Sequence, residues 1–174
     1  MVSSMCFETS DIDRFDRTIL LIRDPLDAML SYFTWAATGS HTRVTDKEDV
    51  LKASHKLFST CLSWYLRVIN VTLTRSRGPV AVIRYERLVS DTVAELRALS
   101  HFLGHAVTDT DMACTFKTKE GEYHRTPRNQ TFHKEMLLYI FDVERRASVE
   151  DVVRTAERLL VKQGVQQGVL NKLL

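Results

Sequence analysis

An arginine directly after an apolar run is the first place in the sequence where residue types and spacing could do chemistry. Thr18–Ile22 has no polar face, which is typical of a strand buried on both sides, and Arg23 ends it. Asp24 and Pro25 then start a helix. Ligands of α/β sheets collect beyond the carboxyl ends of the strands, and a helix N-terminus adds N–H donors. Arg23 and Ser31, two turns along the helix, could therefore bind a phosphate, although solvated side chains are the alternative.

Two later segments offer related chemistry. Val80–Ile83 predicts a second buried strand, and Tyr85 stands just after its end. The stretch 117–130 is polar, which predicts a loop, and it contains Lys119, Gly121 and Arg125. A glycine lets the backbone approach a phosphate closely, while basic side chains neutralise its charge. Taken alone, the stretch is an ordinary polar loop and Tyr85 a half-buried aromatic residue at a strand end.

The elements that must position these residues follow from apolar spacing and capping signals. Helices are predicted from Pro25 to about Thr38 and from about Asp46 to Arg75, where Gly78-Pro79 ends the pattern. Further helices are predicted at 90–103 with Ser90 as cap and Gly104 as stop, at 109–115, at 132–146, and at 149–163 with Ser148 as cap and Gly164 as stop. The order strand–helix–helix–strand–helix predicts a three-layer α/β fold with adjacent parallel strands.

Composition excludes several classes of protein. The 174 residues carry 24 Lys and Arg against 22 Asp and Glu, a net charge of +2, which argues against a nucleic-acid-binding protein. Three widely separated cysteines indicate neither a zinc site nor a disulfide framework, and no metal cofactor is expected. No apolar run reaches the roughly 18 residues of a membrane span, and the first residues do not read as a signal peptide. The compartment stays open.

The segment Leu21–Phe33, with its eight-residue spacing between Arg23 and Ser31, resembles the 3′-phosphate-binding motif of sulfotransferases that depend on PAPS (3′-phosphoadenosine 5′-phosphosulfate). Val82–Leu88 is similar to that family's strand followed by a Tyr-Glu-x-Leu segment, and 117–125 to its late basic loop. The three segments, with the helix that bears Trp64 between them, look most similar to the branch of carbohydrate sulfotransferases that contain a WSC domain.

The resemblance implies a partial P-loop-type sulfotransferase fold, a parallel sheet flanked by helices, with PAPS as co-substrate. It implies that Arg23 and Ser31 hold the 3′-phosphate and that Tyr85 lies near the adenine. It implies that the loop with Lys119, Gly121 and Arg125 closes over the nucleotide. The branch implies a glycan hydroxyl as acceptor and the Golgi lumen as location.

The part of the family pattern that binds the 5′-phosphosulfate has no counterpart in the sequence. None of the six glycines precedes Arg23, where the family places its P-loop, and no lysine precedes Lys47. Glu8 is a candidate general base with no supporting register, so the catalytic residues stay unassigned. We therefore expect residues 1–174 to form one sulfotransferase-like domain, incomplete at its N-terminus, inactive alone, and with one side of its sheet uncovered. The alternatives are a non-catalytic nucleotide-binding or interaction module, and a generic α/β domain whose match is accidental.

Overall fold

The computed structural model describes residues 9–40, 45–118 and 130–164. A 3-10 helix at Thr9–Arg14 precedes the strand β1 (Thr18–Ile22), the helices α1 (Pro25–Thr38) and α2 (Lys47–Arg75), and the strand β2 (Val80–Arg84). The remaining helices are α3 (Tyr85–Ser90), α4 (Thr92–Leu103), α5 (Asp109–Thr118), α6 (Gln130–Ile140) and α7 (Val143–Lys162). The fold is mixed α/β and mostly helical, with a small parallel sheet.

The two strands pair in parallel, as the sequence predicts. Thr18 lies opposite Val80, and the register continues to Ile22 opposite Arg84. The helices α1 and α2 form the connection between the strands, and they pack on each other. Gly78 lets the chain turn into β2, because a Cβ at this position would collide with the carbonyl oxygen of Asp16 beside it.

The core lies on one face of this sheet. Leu20 and Ile22 are buried there, with Val80 and Val82 partly buried beside them, against apolar side chains of α1, α2, α6 and α7. The most deeply buried members of this core have under 2% of their surface exposed: Leu30, Phe33, Val50, Ile140, Phe141, Val149, Val153, Ala156 and Leu160. Packing on this face therefore holds β1 and the start of α1 against the same core.

Within the described ranges, the other face of the sheet is covered over β2 and exposed over β1. Ile83 is buried, and α4 contacts β2. Ile19 and Leu21 of β1 are 39% and 54% exposed. No helix in the described part of the chain is both long and apolar enough to cross a membrane.

Two helix boundaries differ from the sequence-based prediction. Ser90 is the last residue of α3 rather than a cap, and the cap of α4 is Asp91, whose carboxylate accepts a hydrogen bond from Ala94 N. Gly104 ends α4 in the left-handed conformation, as predicted (φ 79°). Asp91 rather than Ser90 caps α4, and a carboxylate is at least as good an acceptor for the first free N–H groups as a serine hydroxyl.

The predicted helix 132–146 is divided in two. Asp142 caps α7 by accepting a hydrogen bond from Arg145 N, so α7 begins at Val143. Ser148 is therefore not a cap: it lies inside α7, where its hydroxyl donates to the Glu144 carbonyl. Phe141, between the two helices, is buried in the core, and Asp142 after it starts the new helix.

Candidate functional site

Beyond the ends of the two strands, residues at matching positions still contact each other. After the last rung, Ile22 opposite Arg84, the next residue on each strand makes a ring contact: the Arg23 guanidinium lies 4.8 Å from the centre of the Tyr85 ring. One residue further, Asp24 N donates a hydrogen bond of 2.9 Å to Glu86 Oε1. The carboxyl ends of both strands are thereby joined into one polar cluster, Arg23, Asp24, Arg84, Tyr85 and Glu86.

Arg23 is fixed from two sides within this cluster. The Tyr65 hydroxyl of α2 donates to the Arg23 carbonyl oxygen at 3.2 Å, and the Tyr85 ring faces its guanidinium. Burial, together with the charges of Asp24 and Glu86, raises the pKa of Tyr65, so its hydroxyl keeps its proton and remains a donor. Arg23 Nε is buried and has no hydrogen-bond partner among the residues that the structure describes. A buried donor of this kind favours an added acceptor such as an anionic oxygen.

The N-terminus of α1 is not open to an anion, contrary to the sequence-based expectation that it adds free N–H donors. Asp27 N donates 2.9 Å to Asp24 Oδ1, the Asp24 carboxylate also accepts from Leu26 N, and Asp24 N is taken by Glu86. Pro25 has no N–H to offer. Burial raises the pKa of Asp24, and the charges of Asp27 and Glu86 raise it further, against the lowering by its two backbone hydrogen bonds. The basic side chains, not the helix end, are therefore what an anion would meet here.

Ser31 lies in the second turn of α1 and is partly buried. It stands four residues after Asp27, so the two side chains share one face of the helix. On that face, Asp27 Oδ1 lies 2.7 Å from His133 Nε2 of α6. Ser31 is six residues beyond the first helical residue, roughly 9 Å along the axis. Asp27 belongs to the first turn of α1, which follows the polar cluster directly, and Ser31 lies one turn further along the same face.

The predicted loop residues Lys119, Gly121 and Arg125 lie outside the described residues, and so does Glu8. Their convergence with Arg23 stays a prediction. Lys47 lies in α2, where it is paired with Glu135 Oε2 at 3.1 Å and faces the Phe132 ring. His55 is an exposed residue of α2.

Sequence reasoning missed Arg84 and Glu86 as members of the site, although both flank Tyr85. Each has a buried side-chain atom, Arg84 Nε and Glu86 Oε2, without a hydrogen-bond partner in the described ranges, and these atoms lie 3.9 Å apart. The signal was present in the alternation of an arginine, an aromatic residue and a carboxylate at a strand end. What was lacking was the register that places Glu86 against Asp24. Over residues 9–40, 45–118 and 130–164, no group of three or more His, Cys, Asp or Glu side chains is placed to hold a metal ion.

A parallel strand that ends in Arg23 beside the Tyr-Glu segment of its neighbour is the arrangement expected of a sulfotransferase. A family model of the sulfotransferase domain matches residues 10–140, well over half of the chain. The chain belongs to the sulfotransferase domain family.

Three of the relatives that match the chain are WSCD family members of insects. The chain is similar to WSCD family member GA21586 of Drosophila pseudoobscura pseudoobscura, at 30% identity over 122 residues, 68% of this chain and 38% of the relative. It is 28% identical to WSCD family member CG9164 of Drosophila melanogaster over 153 residues, 86% of this chain and 46% of that protein. WSCD family member AAEL009094 of Aedes aegypti is 27% identical over 118 residues, 66% of this chain and 37% of the relative. The chain thus spans less than half the length of these relatives, and no solved structure matches it.

Proposed function

We propose that the complete protein transfers a sulfuryl group from PAPS to a hydroxyl acceptor. The resemblance to the branch of carbohydrate sulfotransferases favours a glycan hydroxyl as that acceptor. Residues 1–174 form a single sulfotransferase-like domain that supplies the 3′-phosphate side of the nucleotide site. In this assignment Arg23 and Ser31 bind the 3′-phosphate, Tyr85 contacts the adenine, and Lys119, Gly121 and Arg125 close over the nucleotide. Family membership supports the reaction class, and the site geometry supports the role of Arg23.

The observation that carries the proposal is the state of Arg23. Its guanidinium is held against Tyr85 at the carboxyl end of β1, and its Nε is buried without a partner in the described part of the chain. Leaving a buried donor unsatisfied costs about 1–3 kcal/mol, more for a charged group, and a phosphate oxygen would recover that cost. Because the N–H groups at the start of α1 are occupied, the binding energy for the anion falls on the side chains.

The residues of this chain bind and orient the nucleotide rather than act on the transferred group. The 3′-phosphate is the same in substrate and product, and binding it equally in the ground state and the transition state does not lower the barrier of the chemical step. Arg23 and Tyr85 fix the nucleoside end, so that the sulfuryl end can be positioned by other groups. Stabilising the charge that develops during transfer needs preorganised N–H donors and a cation, for which the sequence before Arg23 offers no glycine and no lysine. We therefore infer that the chain alone is inactive.

Calorimetric titration of wild type and Arg23→Ala with adenosine 3′,5′-bisphosphate and with adenosine tests the assignment. Arg23→Ala should weaken bisphosphate binding about 10- to 100-fold, the loss of a charged hydrogen bond, and adenosine binding much less. The matched control is Arg87→Ala, an exposed arginine of α3 that pairs with Glu95 and lies outside the cluster. Equal losses for both ligands would indicate misfolding of the site, and failure of wild type to bind the bisphosphate would refute the proposal.

A further inference from the structure

Arg84 and Glu86 form a second polar pair beside Arg23 that the 3′-phosphate assignment does not use. Arg84 has 15% of its side chain exposed and Glu86 34%. Their facing atoms, Arg84 Nε and Glu86 Oε2, are both buried, lie 3.9 Å apart, and have no hydrogen-bond partner among the residues described. This distance is too long for a direct hydrogen bond. The pair therefore presents one donor and one acceptor with a gap between them.

The gap selects the chemistry of a bridging group. An oxygen within normal hydrogen-bond distance of both atoms, about 2.7–3.0 Å, spans a 3.9 Å separation. Such an oxygen must accept from the arginine and donate to the carboxylate, and a hydroxyl group does both. A phosphate cannot, because it would face the Glu86 carboxylate without a proton to donate. An aromatic amine cannot either, because its nitrogen is a poor acceptor for the Arg84 N–H.

The connection to Arg23 locates the hydroxyl on the ligand. Glu86 is tied to the residue after Arg23 by its hydrogen bond to Asp24 N, and Arg84 precedes Tyr85, whose ring contacts the Arg23 guanidinium. A phosphate on Arg23 and a hydroxyl on the pair would therefore belong to neighbouring positions of one ligand. On the sugar of a 3′-phosphorylated nucleotide, the neighbouring hydroxyl is at the 2′ position.

We propose that Arg84 and Glu86 recognise the ribose 2′-hydroxyl and so select ribonucleotides over deoxyribonucleotides, an inference that rests on the proposed function. Glu86 serves this purpose with Oε2 while Oε1 holds the start of α1. The pair then acts as a specificity determinant next to the phosphate-binding arginine. It would leave the nature of the acceptor untouched.

The test compares adenosine 3′,5′-bisphosphate with 2′-deoxyadenosine 3′,5′-bisphosphate by calorimetry on the 174-residue chain. We expect the deoxy ligand to bind about tenfold more weakly or worse, since a hydrogen-bonded hydroxyl between charged groups is lost. In Arg84→Met the ratio of the two affinities should fall below the wild-type ratio, because the hydroxyl loses the arginine donor and keeps only its bond to Glu86. Arg87→Met, an exposed arginine three residues later, should keep the wild-type ratio.

Each outcome decides a different point. Equal affinities in wild type, as when the hydroxyl comes from an acceptor or from water, would overturn this inference and leave the proposed function standing. A wild-type ratio that persists in Arg84→Met would attribute it to sugar conformation and would also overturn the inference. If neither nucleotide binds, the proposed function fails and this inference with it. Since the comparison of ligands needs no variant, a folding defect in Arg84→Met cannot mask the first result.

Discussion

Replacing Arg145 by methionine should destabilise the fold more than replacing the exposed Arg154 on the same helix. Arg145 Nη1 donates to the Ile140 carbonyl at 2.7 Å and to Ser54 Oγ at 2.9 Å, while Nη2 lies 2.9 Å from His55 Nδ1. Its guanidinium also lies 5.2 Å from the centre of the Phe58 ring. One side chain thus joins the end of α6 and the start of α7 to α2.

The magnitude follows from which partners are left without a donor. Ser54 keeps a partner, because its own hydroxyl donates to the Leu51 carbonyl at 2.7 Å, and His55 is exposed to solvent. The Ile140 carbonyl loses a charge-assisted hydrogen bond, worth about 1.5–3 kcal/mol. The cation–π contact adds about 0.5–1 kcal/mol, while methionine keeps much of the aliphatic packing. We expect a loss of about 2–4 kcal/mol in the free energy of unfolding.

Urea denaturation followed by circular dichroism measures this loss, and thermal unfolding should show a midpoint lower by about 5–10 °C. The matched control is Arg154→Met on the same helix, whose contacts with Glu150 and Asp151 are 3.8 Å long and exposed. That variant should lose no more than about 0.5 kcal/mol. If Arg145→Met unfolds with the same free energy as Arg154→Met, the three-helix junction does not depend on the arginine and the reasoning is wrong.

Three further predictions concern the carboxylate at the strand end, a partly buried thiol and turnover. Because burial raises the folded-state pKa of Asp24, folding binds protons between the unfolded and folded pKa values, and the ionised carboxylate lowers stability above them. Asp24→Asn keeps the capping oxygen and should therefore be more stable than wild type in urea at pH 7. It should lose this advantage when the pH falls below 3.8, the ordinary pKa of an aspartate. Lower stability of the variant at pH 7 would contradict the burial argument. Burial raises the pKa of Cys61 to about 11, so N-ethylmaleimide should modify exposed Cys114 in the native chain and Cys61 only after unfolding, as read by peptide mass spectrometry; equal rates would count against this. With radiolabelled PAPS and a panel of glycans, the chain should transfer no more sulfate than Arg23→Ala, and transfer above that level would show that it is active alone.

The strands and α1 could be predicted from the sequence because their signals are local. The apolar run Thr18–Ile22 and the Asp24-Pro25 start are contained within a few residues, and the observed bounds of β1 and α1 match the predicted ones. The parallel pairing followed from two buried runs joined by a helical connection. Arg23 and Tyr85 were both predicted as site residues, and the structure brings them into contact.

The remaining features depend on contacts between residues distant in sequence. Glu86 became part of the site only through its hydrogen bond to Asp24 N, 62 residues earlier, which a one-residue change of register would remove. The division between α6 and α7 was missed because the apolar period runs on through Phe141. From the local sequence, Asp142 could equally be a helix cap or a residue inside one long helix. Its stabilisation comes from Arg145 and Arg146, which donate to the carbonyls of Ile140, Phe141 and Leu137 at the end of α6.

The parallel register has a consequence for the order in which the chain folds. Every rung from Thr18–Val80 to Ile22–Arg84 joins residues 62 positions apart, so no part of the sheet can form from nearby residues. The helical hairpin of α1 and α2 involves shorter separations and can form first, and once formed it brings the two strand segments close together. Strand pairing, and with it the cluster of Arg23, Tyr85 and Glu86, should then be a late event that reports completion of the fold. During synthesis, β1 would wait unpaired until β2 and its flanking residues have left the ribosome.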